Sequence, residues 1–359
     1  MPNLFIYFCL FTSFLSCKDR SEISQTKIIP SSCEPSKITI VFGGDVMAHL
    51  PQVAMARESS GIYDFTDCFK YVKEYWKGAD AVVLNLETTL SDRNFTGYPM
   101  FSSPYALAAN LKESGVTHFV MANNHTCDKR ADGIDRTINF LDSIGVAHIG
   151  SFKDSVDWQH DNPLYIKKKG FNIALLNYTY GLNGLNVPKG KVVSMIDTTQ
   201  MALDISKAKR GFATNVIVFL HWGEEYMREP NKEQIALSKW LRDKGVDIII
   251  GSHPHVVQRF ECDSSGVTVY SLGNFISNQQ KRYTNGGINV KLILTKNNGK
   301  IDYNVSYRSF YVYVTAKRPS YFCVDEQSSQ TLIKEEHKRH LAAEFFSDVK
   351  ALMSKTSEK

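Results

Sequence analysis

The chain has 359 residues, 43% of them apolar and 22% charged, enough for one large α/β domain or two modest ones around a buried core. Its 42 basic and 37 acidic side chains leave a net charge of +5 with no long basic run, which argues against nucleic acid as a partner and for a mildly basic solvated surface. Seven widely spaced cysteines (9, 17, 33, 68, 127, 262 and 323) contain no CxxC pair, which excludes a disulfide framework and a thiolate zinc site and leaves buried small side chains with at most a bridge or two.

Residues 1–16 stand apart. Leu4-Phe5-Ile6-Tyr7-Phe8-Cys9-Leu10-Phe11 is apolar, too short to span a bilayer, and has the length of a secretory h-region. Phe14-Leu15-Ser16-Cys17 has the form of a loose lipobox, although Met1-Pro2-Asn3 carries no Lys or Arg. Two readings stand: ordinary cleavage, or cleavage before Cys17 with lipid on its thiol. A signal peptide of lipoprotein type is expected over 1–16. Residues 17–36, with Lys18, Asp19, Pro30 and Pro35, read as a polar tether. The protein is then extracytoplasmic, held to the membrane through a lipid anchor at Cys17.

From Ile38 the pattern changes. Ile38-Thr39-Ile40-Val41-Phe42 reads as a buried strand ending in Gly43-Gly44-Asp45. Phe65, Phe69, Val72 and Trp76 recur at helical spacing, with Asp64 as a cap. A strand over 80–84 runs into Asn85-Leu86-Glu87, and one over 118–122 into Asn123-Asn124-His125, with helices predicted at 104–114 and 132–144. Residues 163–180 read as a hairpin turning at Lys169-Gly170, and 198–209 as a helix. Val216–Leu220 is a strand ending in His221. A helix over 231–244 leads to Val246–Ile250, which ends in Gly251-Ser252-His253-Pro254-His255. A strand over 267–271 ends at Asn274, antiparallel strands are expected at 287–295 and 302–314, and a helix at 332–354.

Alternating strands and helices imply βαβ units and a mainly parallel sheet, in which ligands gather beyond the carboxyl ends of the strands. Asp45, Glu87, Asn124, His221, His253 and His255 occupy those ends. The domain is expected over 37–315, with a helical extension over 316–359. No GxGxxG or P-loop pattern marks a nucleotide site.

Three histidines at two strand ends, with carboxylates at two more, point to a metal site. Nitrogen and oxygen donors without thiolate suit Mn, Fe, Zn or Co. Asp45 or Glu87 can bridge two ions, and Asn124 offers an amide oxygen. His125, with Asp128 three residues on, reads as a general acid oriented by a carboxylate. Glu225, Tyr226 and Arg228 follow His221 in a loop expected to line the substrate mouth, Arg228 as the anion contact. Trp222 reads as packing, and Asn274 as a hydrogen-bond partner for a loop backbone.

Gly44-Asp45-Val46-Met47, Asn85-Leu86-Glu87, Ala122-Asn123-Asn124-His125 with Asp128, His221 to Tyr226, Gly251 to Gln258 and Ser271-Leu272-Gly273-Asn274-Phe275 resemble, in order, the CapA family. That family is named for poly-γ-glutamate capsule synthesis and belongs to the calcineurin-like metallophosphoesterase superfamily. The resemblance covers about residues 38–290. It implies a four-layer α/β sandwich with mixed, largely parallel sheets, a metal site at one edge and two divalent ions. Carried over, Asp45 and His255 would hold one ion and Asn124, His221 and His253 the second, with Glu87 bridging. His125 would be the acid and Asp128 its partner. The wider superfamily's Asp-x-His has Met47 at its third position here, and its bridging aspartate is Glu87. Thioether is a poor ligand for a hard ion; His49, two residues on, would substitute for it.

Three functions follow. One is a metal-dependent phosphoesterase acting on a phosphorylated envelope substrate. Another is a non-catalytic binder of an anionic capsule polymer, or of a capsule synthase in the membrane. The last is a γ-glutamyl amide hydrolase or transferase using a metal-activated water.

Overall fold

The computed structural model describes residues 35–263, 266–316 and 320–354. The expected signal peptide and lipid anchor, and the tether up to residue 34, lie outside the described residues. Ser36, the last tether position, already opens the first strand.

Fourteen strands form two main sheets among the described residues: β1 Ser36–Val46, β2 Ala81–Leu86, β3 His118–Val120, β4 Ala147–Ile149, β5 Leu164–Lys168, β6 Phe171–Thr179, β7 Asn215–His221, β8 Ile248–Ser252, β9 Phe260–Asp263, β10 Gly266–Val269, β11 Asn274–Ile276, β12 Gly286–Asn297, β13 Lys300–Val314 and β14 Tyr321–Asp325. The first sheet has the order β14-β13-β12-β1-β2-β3-β4, with β11 also on β1. It is parallel from β1 through β4 and antiparallel from β1 through β12 and β13 to β14. The second sheet, β9-β10-β8-β7-β6-β5, is parallel across β6, β7, β8 and β10, with antiparallel edges.

The strands are apolar throughout because both faces are covered. In β7, Ile217 and Phe219 enter a core between the sheets, whereas Val216, Val218 and Leu220 face the opposite way. Ile38, Ile40 and Phe42 of β1 meet them from the first sheet. Outside that sheet, Leu107, Ala108 and Leu111 of helix Tyr105–Ser114 and Ile134, Ile138 and Leu141 of helix Arg130–Ser143 pack against Val82 and Leu84. Helices Thr198–Arg210 and Lys232–Asp243 cover the second sheet, each opened by a side-chain cap, Asp197 and Asn231. The layers are helix, sheet, sheet, helix: the four-layer sandwich that the resemblance implied.

Two expectations are corrected. The helical pattern of Phe65, Phe69, Val72 and Trp76 is split between two one-turn helices, Thr66–Phe69 and Lys73–Trp76, with Asp64 accepting the Thr66 N–H at 2.8 Å. The helical extension expected over 316–359 is, among the described residues, helical but opened by a strand. β14 completes the first sheet, helix Glu326–Leu332 follows, and helix Glu336–Ser354 places Phe345, Phe346, Val349 and Leu352 in the core with the inter-sheet residues. Cys68, Cys127 and Cys323 are buried free thiols. Among the described residues no helix is long and apolar enough to cross a membrane.

Gly44 fixes the turn of chain that delivers Asp45. The β1–β2 register slips between Gly43 and Asp45, and a Cβ on Gly44 would lie 1.8 Å from the Gly273 carbonyl oxygen. That backbone oxygen cannot retreat without moving β11, so Gly44→Ala is expected to cost about 3 kcal/mol or more, read as a lower denaturation midpoint.

Candidate metal centre

The parallel strands of both sheets end on one edge, and the register sets the order of side chains there. Asp45 pairs with Asn85 across β1 and β2, and His221 with Ser252 across β7 and β8. Glu87 follows β2, anchored by its N–H to the Val46 carbonyl at 3.0 Å. Asn124 follows β3, and His253 and His255 follow β8.

Two groups result. Glu87, His221 and His253 each offer a ligand atom within 4.8 Å of one another, and so do Asp45, Glu87 and His255. Glu87 is common to both. Its Oε1 lies 3.6 Å from His221 Nε2 and 3.9 Å from His255 Nε2. Asn124 Oδ1 stands 2.9 Å from His221 Nε2. All these side chains are buried.

Both carboxylate oxygens of Glu87 and Nδ1 of His253 are buried with no hydrogen-bond partner. Buried polar atoms are nearly always partnered, and three orphans at one point are donors that a divalent cation would satisfy. Burial, and then the Asp45 charge, push the Glu87 carboxyl well above its ordinary value. Burial pushes His221 well below, and His253 down to about 3, so both imidazoles are neutral and able to ligate. Burial raises Asp45, but the hydrogen bonds from His255 and Asn85 outweigh it and hold the carboxyl below its usual range. Neutral imidazole, carboxylate and amide oxygen without thiolate fit divalent cations.

A second set of residues orients the first, and sequence reasoning missed most of it. His255 Nδ1 lies 3.1 Å from Asp45 Oδ2 and 3.0 Å from Asn274 Oδ1, which leaves Nε2 on the Glu87 side. Asn274 also donates to the Thr284 carbonyl, the loop-backbone bond its position suggested. His221 Nδ1 is 3.1 Å from Ser252 Oγ. Asn85 donates to Asp45 Oδ1 at 2.8 Å, and Asn123 donates to Asn85 Oδ1 and the Leu86 carbonyl. Such partners set tautomer and ring plane. Asn85 and Asn123 sit inside the matched motifs, and their polarity within apolar strands was the available signal. His253 and His255 have φ of 98° and 58°, left-handed values that cost about 1–3 kcal/mol each and gather at functional sites.

A cleft of about 600 Å³ opens beside the centre, lined by His125, Asp128, Glu225, Tyr226 and His255 among others. His125 Nδ1 is 2.7 Å from Asp128 Oδ2, which also accepts the Phe101 N–H. The His125 ring meets Phe101 edge-on at 4.7 Å.

Arg228 is not at the mouth. It donates to the Asp348 carbonyl at 3.0 Å and stacks on Tyr283 at 4.2 Å, pinning helix Glu336–Ser354. Arg228→Ala is expected to lower stability by about 1–2 kcal/mol while leaving KM unchanged, checked by thermal denaturation beside kinetics. Lys281, which sequence reasoning missed, places its Nζ 5.4 Å from the ring of Tyr226, a cleft residue.

His49 does not take the place of the missing ligand. It caps helix Leu50–Ala56, its Nδ1 lies 3.2 Å from both the Asn278 N–H and Gln52 Oε1, and it belongs to neither ligand group. Met47 lines the cleft and is buried. Trp222 is packing, its indole N–H on the Tyr270 carbonyl. Tyr180 covers the centre, 4.5 Å from the His253 ring.

Sandwich and strand-end cluster together define a four-layer α/β fold with a buried carboxylate–histidine centre whose donors could hold divalent metal. The chain belongs to the bacterial capsule synthesis protein family PGA_cap, whose model matches residues 39–279. It is 32% identical over 259 residues to the capsule biosynthesis protein CapA of Bacillus anthracis, covering 68% of this chain and 61% of that one. It is 29% identical over 273 residues to the PGA biosynthesis protein CapA of Bacillus subtilis, covering 71% and 67%. The chain thus spans about three-fifths to two-thirds of the length of these relatives. Among solved structures it is similar to the NAD nucleotidase of Haemophilus influenzae, with TM-score 0.43, 11% identity and coverage of 88% and 60%. A 5'-nucleotidase from Candida albicans gives TM-score 0.41, 13% identity and coverage of 76% and 51%.

Proposed function

We propose that this chain is a metal-dependent hydrolase of phosphoester-type bonds, acting on an anionic envelope substrate in capsule biosynthesis. The observation that carries the reading is the orphaned, fully buried Glu87 carboxylate shared by two ligand groups. Asp45 and His255 would hold one divalent ion, His221, His253 and Asn124 the other, with Glu87 between them. Bound there, the ions supply Lewis-acid polarisation and a lowered pKa for an attacking water.

The residues of the chain do the rest. Asn274 and Ser252 hold the two histidine rings in plane. His125, fixed through Nδ1 by Asp128, gives a proton from Nε2 to the leaving oxygen. Tyr180 and Phe101 exclude water from the ring faces they cover. The names of the Bacillus relatives support a place at the cell envelope, and the lipobox supports a lipid anchor at Cys17.

The test is metal analysis of the purified protein, with phosphomonoester and phosphodiester turnover in added Mn. Uptake of about two ions per chain and turnover lost in His253→Ala would support the reading. Neither uptake nor turnover with any divalent ion would overturn it in favour of a polymer-binding protein.

A further inference from the structure

Asp128 has two faces. It lines the cleft with His125, and it lines a second groove of about 500 Å³ on its other side. Phe101 borders the cleft and Ser102, the next residue, borders the groove. Asp128 and the Phe101-Ser102 pair are therefore shared by the walls of the two spaces.

The groove is built differently from the cleft. Arg93, Lys129, Arg130 and Arg136 line it, against Asp92, Asp128 and Asp132. Asp128 is spent on His125 and the Phe101 N–H, and its side chain is only 1% exposed. Asp92 lies 3.8 Å from Arg93 and offsets it. That leaves Lys129, Arg130 and Arg136 against Asp132 alone. None of these three cations has an ion pair or side-chain hydrogen bond among the described residues, and the Nε of Arg136 is buried without any partner. Asp135, the other carboxylate on that helix turn, is taken by Lys191.

Cations on a solvated face point outward and stay hydrated. Here they converge on one concavity, and one guanidinium nitrogen has given up its water with nothing in return. Lys129 and Arg130 also open helix Arg130–Ser143, whose first turn has no side-chain cap. Guanidinium forks and an ammonium suit a tetrahedral or planar oxyanion.

We propose that this groove is an anion subsite, holding a phosphate or carboxylate of a chain-like substrate whose reacting bond lies across Asp128 in the cleft. The binding site stands on the groove alone; its alignment with the reacting bond rests on the hydrolase reading. The substrate is then an oligomer with a second negative group beyond the scissile one. The shared wall also gives Asp128 a second duty, since it holds the acid and the boundary between the subsites.

The test is fluorescence anisotropy of the intact protein in chelator, with labelled oligoglutamate as the carboxylate arm and labelled polyphosphate of matched length as the phosphate arm. Binding of at least one arm is expected, weakening with salt. Lys129→Gln/Arg130→Gln should weaken it about ten-fold, as expected for lost bonds to a charged group, and Arg136→Gln should do likewise. Arg130 is exposed and Lys129 half-buried, and neither side chain is in an ion pair or hydrogen bond among the described residues, so the melting curve of the double variant should match wild type. His253→Ala should bind the same arm as tightly as wild type. The arm that binds identifies the anion. Failure of both arms to bind, or equal binding by wild type and both groove variants, overturns the subsite. Loss of binding in the groove variants from a protein without turnover would keep the subsite and reject the hydrolase reading.

Discussion

Replacing Glu87 with glutamine is expected to stabilise the metal-free protein and to abolish its response to divalent ions. Both carboxylate oxygens are buried without a partner, and Asp45 adds a like charge. Without a cation the folded chain must carry either a desolvated charge or a carboxyl whose proton is forced on it, and both cost free energy. An amide of the same shape removes the charge and most of that cost. With metal the order reverses. Ions binding the native state alone at a hundred times their Kd stabilise it by about 2.7 kcal/mol, on the order of 5 °C for a domain of this size. Glu87→Gln should show almost none of that gain, and turnover about 1000-fold lower, since several kcal/mol of charge stabilisation act through the ions. Thermal denaturation of both proteins in chelator and in Mn reads all of this. An equal rise in both proteins would remove Glu87 from any bridging place.

The contrast bears on what the sequence could tell. The residues at the strand ends were legible because chain periodicity alone puts them there: an apolar run of five or six residues, then Asp45, Glu87 or His221 where the strand stops. Side-chain alternation along β7 and β1 explains why two sheets and two outer helical layers follow from such runs. The orientation network was harder to see. Asn85 and Asn123 are ordinary polar residues until the β1–β2–β3 register sets them behind Asp45. Arg228 was misplaced because a charged loop beside a strand end says nothing about its direction. The carbonyl of Asp348, 120 positions away, decides that. β14 was missed for a related reason: Tyr321–Asp325 is short, and only the long edge of β13 makes it a strand. His49 failed as a ligand because the strand ends at Val46. The chain then turns into helix Leu50–Ala56, so the two-residue spacing from Met47 no longer keeps both on one face.

His125→Ala is expected to leave metal content unchanged and to cut turnover by about 100- to 10,000-fold on substrates with poor leaving groups. The ring is not in either ligand group, so its loss should not empty the centre. Its worth depends on the leaving oxygen. An alkoxide needs a proton as the bond breaks, whereas a nitrophenolate leaves without one, so the defect should shrink strongly on nitrophenyl esters. Asp128→Asn tests the same step by another route. The carboxylate holds His125 at 2.7 Å and the Phe101 N–H at 2.5 Å through one oxygen. An amide oxygen lacks the full charge that draws the Phe101 N–H and the His125 Nδ1–H to one point, so it holds the ring less firmly with Nε2 toward the leaving oxygen. The variant should therefore share the leaving-group dependence of His125→Ala at smaller size. A structural loss would lower turnover on every substrate alike. Kinetics across a series of leaving groups, with metal analysis beside it, separates the two. A flat dependence in both variants would show that His125 is not the acid.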